Sequence, residues 1–155
     1  MIVNWINKMF DHSFKKEWFE TYWAIDLHGV VFEPNYRNSP SHAKFYPWAK
    51  ETLLLMKERK DIVMIMFTSS YPNEIEFYDA LLIENGIVFD YINENPAIHA
   101  KHGNFGCYDK KMYFNVLLDD KAGFDPLVEW EQIYDYLLTC KKNNYLPNPD
   151  WTTKH

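Results

Sequence analysis

Short apolar runs that end in polar side chains constrain the fold of this chain more than any other feature. The sequence contains four such runs, at residues 21–26, 62–67, 87–92 and 114–118. Each run is as long as a typical strand and has little polar interruption, which predicts strands that are covered on both faces. Strands of this kind are typical of parallel sheets, so the runs favour a parallel sheet.

Segments with helical features alternate with these runs. We predict an amphipathic helix over residues 1–20, a helix after Pro47, a helix that begins at the capping-box spacing of Asn73 and Glu76, and a helix capped by Asp125 and Pro126. The alternation predicts an α/β fold, namely an open, mainly parallel, Rossmann-like sheet with helices on both faces.

Polar residues directly follow three of the predicted strands. Asp26 ends the first run, Thr68 follows the second, and Asp119 and Asp120 follow the last. Open α/β sheets bind ligands in a crevice outside the carboxyl ends of their strands. We therefore expect these four residues to converge at one edge of the sheet, although they are far apart in the chain.

Length and composition favour one folded unit. A chain of 155 residues with 47% hydrophobic residues can bury one substantial core. We predict a single domain over residues 1–155 with an irregular tail at residues 143–155. The polar segment at residues 93–110 receives no assignment.

Charge and cysteine content limit the partners and the compartment. A net charge of −6 disfavours broad nucleic-acid binding, which depends on Lys and Arg, but phosphorylated nucleic-acid ends stay open as ligands. Cys107 and Cys140, without a CxxC motif, predict reduced thiols in a cytoplasmic protein. Charged residues interrupt the apolar N-terminal stripe, so we expect no membrane span and favour core packing over a membrane-surface role.

Other candidate sites have weaker support. His99 and His102 have a spacing that suits a shared metal, but no third ligand is clustered with them, so we expect surface or packing roles. Cys107 has no evident activating partner. The sequence contains no GxGxxG or GxxxxGK[ST] loop, which disfavours an ordinary nucleotide-binding domain.

The residues at the strand ends supply the groups that phosphoryl transfer needs. This chemistry requires a nucleophile, a cation that offsets phosphate charge, and fixed hydrogen-bond donors. The Asp26 carboxylate can attack phosphorus, and Asp119 and Asp120 can hold Mg²⁺, which prefers oxygen ligands. Taken alone, Asp26 better suits a turn or a helix cap. Together with Thr68 and the acid pair, it favours phosphoryl transfer.

The same residues resemble the haloacid dehalogenase-like (HAD) superfamily. DLHGV at residues 26–30 resembles the first motif of that family, an Asp-x-Asp-Gly-Thr/Val turn after a hydrophobic strand. Phe67-Thr68 resembles the second motif. Lys111 in KMYFNVLLDDKAG resembles the third-motif lysine, upstream of an acidic fourth motif. NGIVFDYINENP is also similar to members of a small subgroup, and the resemblance covers about residues 21–130.

The resemblance implies an active site with named roles. Asp26 would attack phosphorus and coordinate Mg²⁺, and the backbone carbonyl of His28 would be a further metal ligand. Thr68 and Lys111 would hold phosphate oxygens. The implied fold is HAD-like, without a large cap, and the implied cofactor is Mg²⁺.

Several assignments within this implied site stay open. Asp120 is the preferred fourth-motif metal ligand, whereas Asp119 either binds the metal or orients Lys111. Ser69 suits a turn cap and a phosphate donor equally well. Lys110 is an alternative to Lys111.

His28 departs from the family pattern. It stands where phosphatases of this type carry the Asp that protonates the leaving group and later activates water. Histidine titrates near neutral pH and is able to perform both proton transfers. We therefore predict a Mg²⁺-dependent phosphatase that forms an aspartyl-phosphate from a phosphomonoester of unknown size. The alternative is a weakly active or inactive HAD-like module that binds metal or phosphate and acts through a protein partner.

Overall fold

The computed structural model describes residues 2–34, 43–98 and 106–140. The irregular tail predicted for residues 143–155 lies outside these ranges, as do His99 and His102. Within the same ranges, no helix has both the length and the apolar composition needed to cross a membrane.

The described strands form one open, parallel sheet. They are β1 (Thr21–Ile25), β2 (Ile62–Met66), β3 (Tyr91–Ile92) and β4 (Val116–Leu118), arranged in the order β3-β2-β1-β4. β1 is central and pairs in parallel with β2 and β4, while β2 also pairs in parallel with β3. The predicted α/β class and the open, Rossmann-like parallel sheet are confirmed.

β3 and β4 are shorter than predicted, because side chains replace the backbone partner just before each strand. The Asp90 carboxylate accepts a hydrogen bond from the Met64 N–H at 2.7 Å. The side-chain oxygen of Asn115 accepts one from the Tyr22 N–H at 2.8 Å. These side chains pair the backbone N–H groups of the neighbouring strands without a regular backbone ladder. The observed strands therefore begin later in the sequence than the apolar runs that predicted them.

The described helices are α1 (Ile2–Lys15), α2 (Ala49–Lys57), α3 (Pro72–Glu84) and α4 (Glu129–Cys140). The start of α3 differs from its prediction. Pro72 occupies the first turn, where its missing N–H costs little. The Glu74 carboxylate accepts a hydrogen bond from the Tyr71 N–H at 3.0 Å, so this acid caps the helix in place of the predicted Asn73 and Glu76 pair.

The start of α4 also differs, and it holds the loop that follows β1. Asp125 and Pro126 lie in a turn before the helix, in which the Asp125 carbonyl accepts from the Glu129 N–H at 2.8 Å. The next residue, Trp130, is fully buried and donates from its indole N–H to the Val30 carbonyl at 2.7 Å. A buried indole N–H needs such a partner, so this bond fixes α4 against the loop.

The two faces of the sheet are covered differently. Trp23, Ile25 and Met64 share one face and pack in a core to which α1, α2, α3 and α4 all contribute. On the other face, Tyr22 and Ile65 pack against the segment that connects β3 to β4. We expected helices on both faces, but the described part of that connection contains no helix.

Aromatic side chains of the described residues cover much of the second face. We call this side the tyrosine face, after Tyr22, Tyr91, Tyr108 and Tyr113. The ring of Tyr113 meets those of Tyr22 and Tyr108 edge-on, with centroid distances of 5.8 Å and 5.1 Å. Large rings bury much apolar area per residue, which allows an irregular segment to cover a strand.

Candidate metal and phosphate site

The carboxyl ends of three strands bring the predicted polar residues together. The Asp26 N–H, just after β1, donates to the Leu118 carbonyl of β4 at 2.9 Å. The Phe67 N–H, just after β2, donates to the Ile25 carbonyl of β1 at 2.8 Å. The segments that follow β1 and β2 are therefore still hydrogen-bonded to the neighbouring strand where the polar residues begin.

Asp26, Asp119 and Asp120 form a cluster at this edge. Each offers a carboxylate oxygen, and these oxygens all lie within 4.8 Å of one another. Asp26 and Asp119 are partly buried, whereas Asp120 is exposed. Oxygen donors on a partly open edge fit a hard divalent cation such as Mg²⁺, which keeps several waters when it binds to proteins. The donor set is therefore compatible with the implied metal.

Gly29 makes room for one of these acids. Its φ of +80° lies in the left-handed region that favours glycine, and a Cβ built there would lie 2.8 Å from Asp120 Oδ2. Any side chain would push the carboxylate away. The glycine of the DLHGV turn thus brings the loop after β1 into contact with the acid pair after β4.

A short 3₁₀ turn over Asp120–Ala122 presents the acid pair and a lysine. The Lys121 N–H lies 2.8 Å from Asp119 Oδ1 and 2.9 Å from Asp120 Oδ1, so both carboxylates accept from it. The exposed Lys121 ammonium lies 3.8 Å from Asp120 Oδ1. This turn and the residue before it therefore carry two carboxylates and one exposed ammonium group.

A cavity of about 490 Å³ opens beside the acid cluster. Its described lining residues are Asp26, His28, Phe67, Thr68, Ser69, Asp119 and Lys121. The cavity thus combines two acids of the cluster with two hydroxyl groups, an imidazole and an ammonium group.

Two of the predicted site residues are not among the described residues that line the cavity: Asp120, which belongs to the acid cluster beside it, and Lys111. Lys111 is exposed and is not among the described lining residues, whereas Lys121 is. The sequence analysis did not select Lys121, because the family resemblance assigns the lysine upstream of β4. Its position immediately after the acid pair was the available signal.

Thr68 is buried at the cavity wall and joins a small hydroxyl cluster. Its Oγ1 lies 2.9 Å from the Ser70 hydroxyl and accepts from the Ser70 N–H at 3.2 Å. Ser69 is exposed at the same wall. The Thr68 hydroxyl therefore stabilises the turn after β2, and Thr68 itself lines the cavity.

The environment of Asp26 opposes its ionisation. Burial is the main cause that raises the pKa of this carboxyl to about 6, and the charges of Asp119 and Asp120 raise it further. A hydrogen bond from the Leu27 backbone and the charge of Lys121 act in the opposite direction. A cation at the cluster would remove the repulsion among the acids.

His28 is half-buried against α3. Its ring meets the Tyr78 ring edge-on, with centroids 5.0 Å apart. Burial lowers the pKa of the imidazole, and the charge of Glu74 raises it by a smaller amount. The net shift favours a neutral imidazole at the cavity wall near neutral pH.

Comparisons with known proteins support the fold. A solved structure of the conserved protein coded by locus from Bacteroides thetaiotaomicron has a TM-score of 0.57 at 21% identity, covering 77% of this chain and 90% of that chain. A D,D-heptose 1.7-bisphosphate phosphatase from B. bronchiseptica, complexed with magnesium and phosphate, has a TM-score of 0.38 at 17% identity, covering 56% of this chain and 54% of that chain. The second score is too low to establish a common fold. No family model and no curated protein matches the chain.

The fold and the cavity define a general class. The chain is an open, parallel α/β protein with an acid cluster beside hydroxyl groups and a lysine at the carboxyl edge of its sheet.

Proposed function

We propose that this chain is a HAD-like, Mg²⁺-dependent phosphohydrolase that acts on a phosphomonoester through an aspartyl-phosphate on Asp26. The observation that carries the proposal is the convergence of the Asp26, Asp119 and Asp120 carboxylates, two of which, Asp26 and Asp119, line the cavity. Asp26 follows β1, whereas Asp119 and Asp120 both follow β4, and the order of these motifs resembles the HAD superfamily. Mg²⁺ held by the three carboxylates and the His28 carbonyl would offset the charge of the phosphoryl group.

Asp26 supplies the nucleophile in this proposal. One of its carboxylate oxygens forms a bond to phosphorus while the bond from phosphorus to the substrate oxygen breaks, and the departing oxygen takes up a proton. Water then attacks phosphorus, gives up a proton, and displaces the Asp26 carboxylate. The products are an alcohol and inorganic phosphate, and Asp26 is regenerated.

His28 serves the two proton transfers. Its neutral form accepts a proton from the attacking water, and the resulting imidazolium donates a proton to the next leaving group. A good leaving group such as a nitrophenolate needs little protonation, whereas an alkoxide needs it strongly. His28→Ala should therefore slow hydrolysis of alkyl phosphates more than hydrolysis of aryl phosphates, and equal losses would remove the leaving-group role.

Thr68, Ser69 and Lys121 provide the phosphate contacts. The two hydroxyl groups donate hydrogen bonds, and the Lys121 ammonium pairs with a phosphate oxygen. We assign the cation to Lys121 because it lines the cavity, although Lys111 was the sequence assignment. An exposed ammonium on a long side chain can move from Asp120 to an incoming phosphate.

The proposal is tested with purified chain, an aryl phosphate, and either Mg²⁺ or a chelator. We expect Mg²⁺-dependent phosphate release that Asp26→Asn lowers by at least about 1,000-fold, because no other group replaces the nucleophile. Asp135→Asn, at an exposed position on α4, is the matched control and should retain activity. Release that survives Asp26→Asn would exclude Asp26 as the nucleophile.

A panel of phosphomonoesters defines the substrate class. No large cap covers the cavity in the described ranges. A phosphate group on a large substrate can therefore enter the cavity as readily as one on a small metabolite. Sugar phosphates, phosphopeptides and 5′-phosphorylated oligonucleotides should be compared at equal concentration. The negative net charge of −6 predicts that the oligonucleotides are the poorest of these.

A noncatalytic metal- or phosphate-binding module is the rival function. Its support is His28, whose imidazole packs against Tyr78 and whose lowered pKa leaves little imidazolium to protonate a leaving group. This rival predicts that Mg²⁺ and inorganic phosphate raise the melting temperature without turnover on any member of the panel. A protein partner would then carry the function.

A further inference from the structure

We infer that Asn93 is a positioning residue that acts through Thr68, by holding the Thr68 peptide in two hydrogen bonds at the phosphate side of the cavity. The inference rests on the proposed function and deepens it. Asn93 follows β3 and lies in the segment NGIVFDYINENP, to which no site role was assigned, and it is not among the described residues that line the cavity.

The contact is a two-way clamp between a side chain and a peptide. The Thr68 N–H donates to Asn93 Oδ1 at 2.8 Å, and Asn93 Nδ2 donates to the Thr68 carbonyl at 2.9 Å. An amide side chain has one acceptor and two donors, so it can reproduce the hydrogen bonds that a neighbouring strand residue would make. Both backbone groups of Thr68 are thereby paired at the point where β2 has ended.

The backbone of Asn93 allows the clamp. Its N–H donates to the Met66 carbonyl at 2.8 Å, which is the last regular ladder bond between β2 and the chain after β3. Its φ is 53°, in the left-handed region that asparagine tolerates better than most side chains. The backbone turns away from the sheet there. The Asn93 side chain extends the hydrogen-bonded pairing to Thr68, just beyond the end of β2.

The clamp matters because Thr68 connects the hydroxyl cluster to the end of β2. Its hydroxyl pairs with that of Ser70, and Phe67 is tied to β1 on the opposite side. With Asn93 in place, the peptide between these contacts has a defined orientation. A phosphate-binding hydroxyl fixed in this way costs no reordering when the substrate binds.

Asn93→Gly tests the inference most sharply. Glycine keeps the left-handed backbone and removes only the amide, so strain is not introduced. Asn95→Gly is the matched control. Asn95 also makes two side-chain hydrogen bonds, to the Tyr113 carbonyl at 2.9 Å and from the Ala97 N–H at 3.2 Å, but it does not touch Thr68.

Two measurements separate positioning from simple destabilisation. In Asn93→Gly, we expect the Thr68 amide to exchange with solvent at least about 10-fold faster and kcat/KM for an aryl phosphate to fall about 10- to 100-fold. In Asn95→Gly, both should stay within about two-fold of wild type even where the melting temperature falls equally. Asn93→Asp keeps an acceptor for the Thr68 N–H but places a carboxylate oxygen against the Thr68 carbonyl, so we expect exchange that is slower than in Asn93→Gly and faster than in wild type.

The outcomes distinguish this inference from the proposed function. Wild-type turnover with unchanged kcat/KM in Asn93→Gly overturns the positioning role while the proposed function stands. If the wild type has no turnover, the proposed function fails, and the clamp is judged by Thr68 exchange and by inorganic phosphate affinity in the presence of Mg²⁺. Equal exchange in Asn93→Gly and Asn95→Gly then overturns the clamp.

Discussion

The acid cluster and the tyrosine face both contain acidic groups with raised pKa values, yet their states at neutral pH differ. Burial, together with the charge of nearby Glu20, raises the pKa of Tyr22 to about 12, so its hydroxyl is neutral and donates to the Glu20 carboxylate at 3.2 Å. Burial and two further acids raise the pKa of Asp26 to about 6, so this carboxyl is mostly ionised at pH 7 in surroundings that oppose the charge.

The difference separates a packing surface from a candidate active site. On the tyrosine face, burial and hydrogen bonding agree with the protonation state that water would also favour at neutral pH. At the acid cluster, burial and the neighbouring charges oppose the ionised state that Asp26 would adopt in water at neutral pH. The charge of Asp26 should therefore lower the free energy of unfolding when no cation is bound. Local conflicts of this kind concentrate at functional sites, because the missing favourable interaction is supplied by a ligand.

Replacing Lys121 should give the largest effect among tests of this contrast. Removal of a charge-assisted phosphate contact predicts that Lys121→Met lowers kcat/KM for an aryl phosphate by about 10- to 100-fold. Lys111→Met should change it less than about two-fold, because Lys111 does not line the described cavity. Steady-state kinetics at saturating Mg²⁺ measures both variants. A larger loss in Lys111→Met than in Lys121→Met would assign the phosphate contact to Lys111.

A Cβ at Gly29 should weaken the metal site. Gly29→Ala places a methyl group 2.8 Å from Asp120 Oδ2, and we expect the displaced carboxylate to lower Mg²⁺ affinity about 10-fold. Gly123→Ala is the matched control, since its φ is +96° but a Cβ there meets no atom within 4 Å. Calorimetric Mg²⁺ titration measures both. Equal affinities in the two variants would show that Asp120 does not contribute to binding.

Neutralising Asp26 should stabilise the protein when metal is absent. A carboxyl whose folded pKa is raised contributes stability below its ordinary value of 3.8, and that contribution is lost as pH rises through about 6. In a chelator at pH 7.5, Asp26→Asn should therefore raise the free energy of unfolding by about 1 kcal/mol, less than the full shift implies because solvent screens the partly exposed group.

Urea unfolding of wild type and Asp26→Asn at pH 4 and pH 7.5 measures this difference. The gain should be small at pH 4 and should shrink at pH 7.5 once Mg²⁺ is added, because the wild type then gains from binding. A gain that is independent of both pH and Mg²⁺ would mean that the Asp26 charge is not the cause.

The tyrosine face should respond at the other end of the pH scale, with the smallest effect. Because the pKa of Tyr22 is raised from 10.0 to about 12, the stability that its neutral hydroxyl provides is lost as pH rises through that interval. Tyr22→Phe should change stability by less than about 1 kcal/mol at pH 7 and should reduce alkaline unfolding. Urea midpoints at pH 8 and pH 11 check this, and identical pH dependence would contradict it.

The strand-end residues were predictable because two ordinary sequence signals coincide there. β1 and β2 are uninterrupted apolar runs, and the rule that ligands bind at the carboxyl ends of parallel strands then selects Asp26, Thr68 and Asp119. The Gly29 turn and the acid pair were recognisable from the same segments. These features depend on local composition and on chain direction, both of which a sequence displays.

The remaining features depend on side chains that meet across the fold. Thr68 and Asn93 are 25 positions apart, and no periodicity predicts that an amide would continue a strand pairing. Lys121 lines the cavity because it lies in the 3₁₀ turn that follows β4. The order of the sequence motifs does not predict that turn. On the second face, the described residues of the connecting segment, 93–98 and 106–115, contain no helix and cover the strands through aromatic packing without regular periodicity.

Anomalous diffraction from crystals grown with Mn²⁺ tests the central claim most directly. Mn²⁺ shares the oxygen preference of Mg²⁺ and can be located by its anomalous signal. We predict one peak at about 2.1 Å from a carboxylate oxygen of Asp26 and from an oxygen of Asp119 or Asp120. A fully occupied cation elsewhere, with these carboxylates unligated, would contradict the shared metal site.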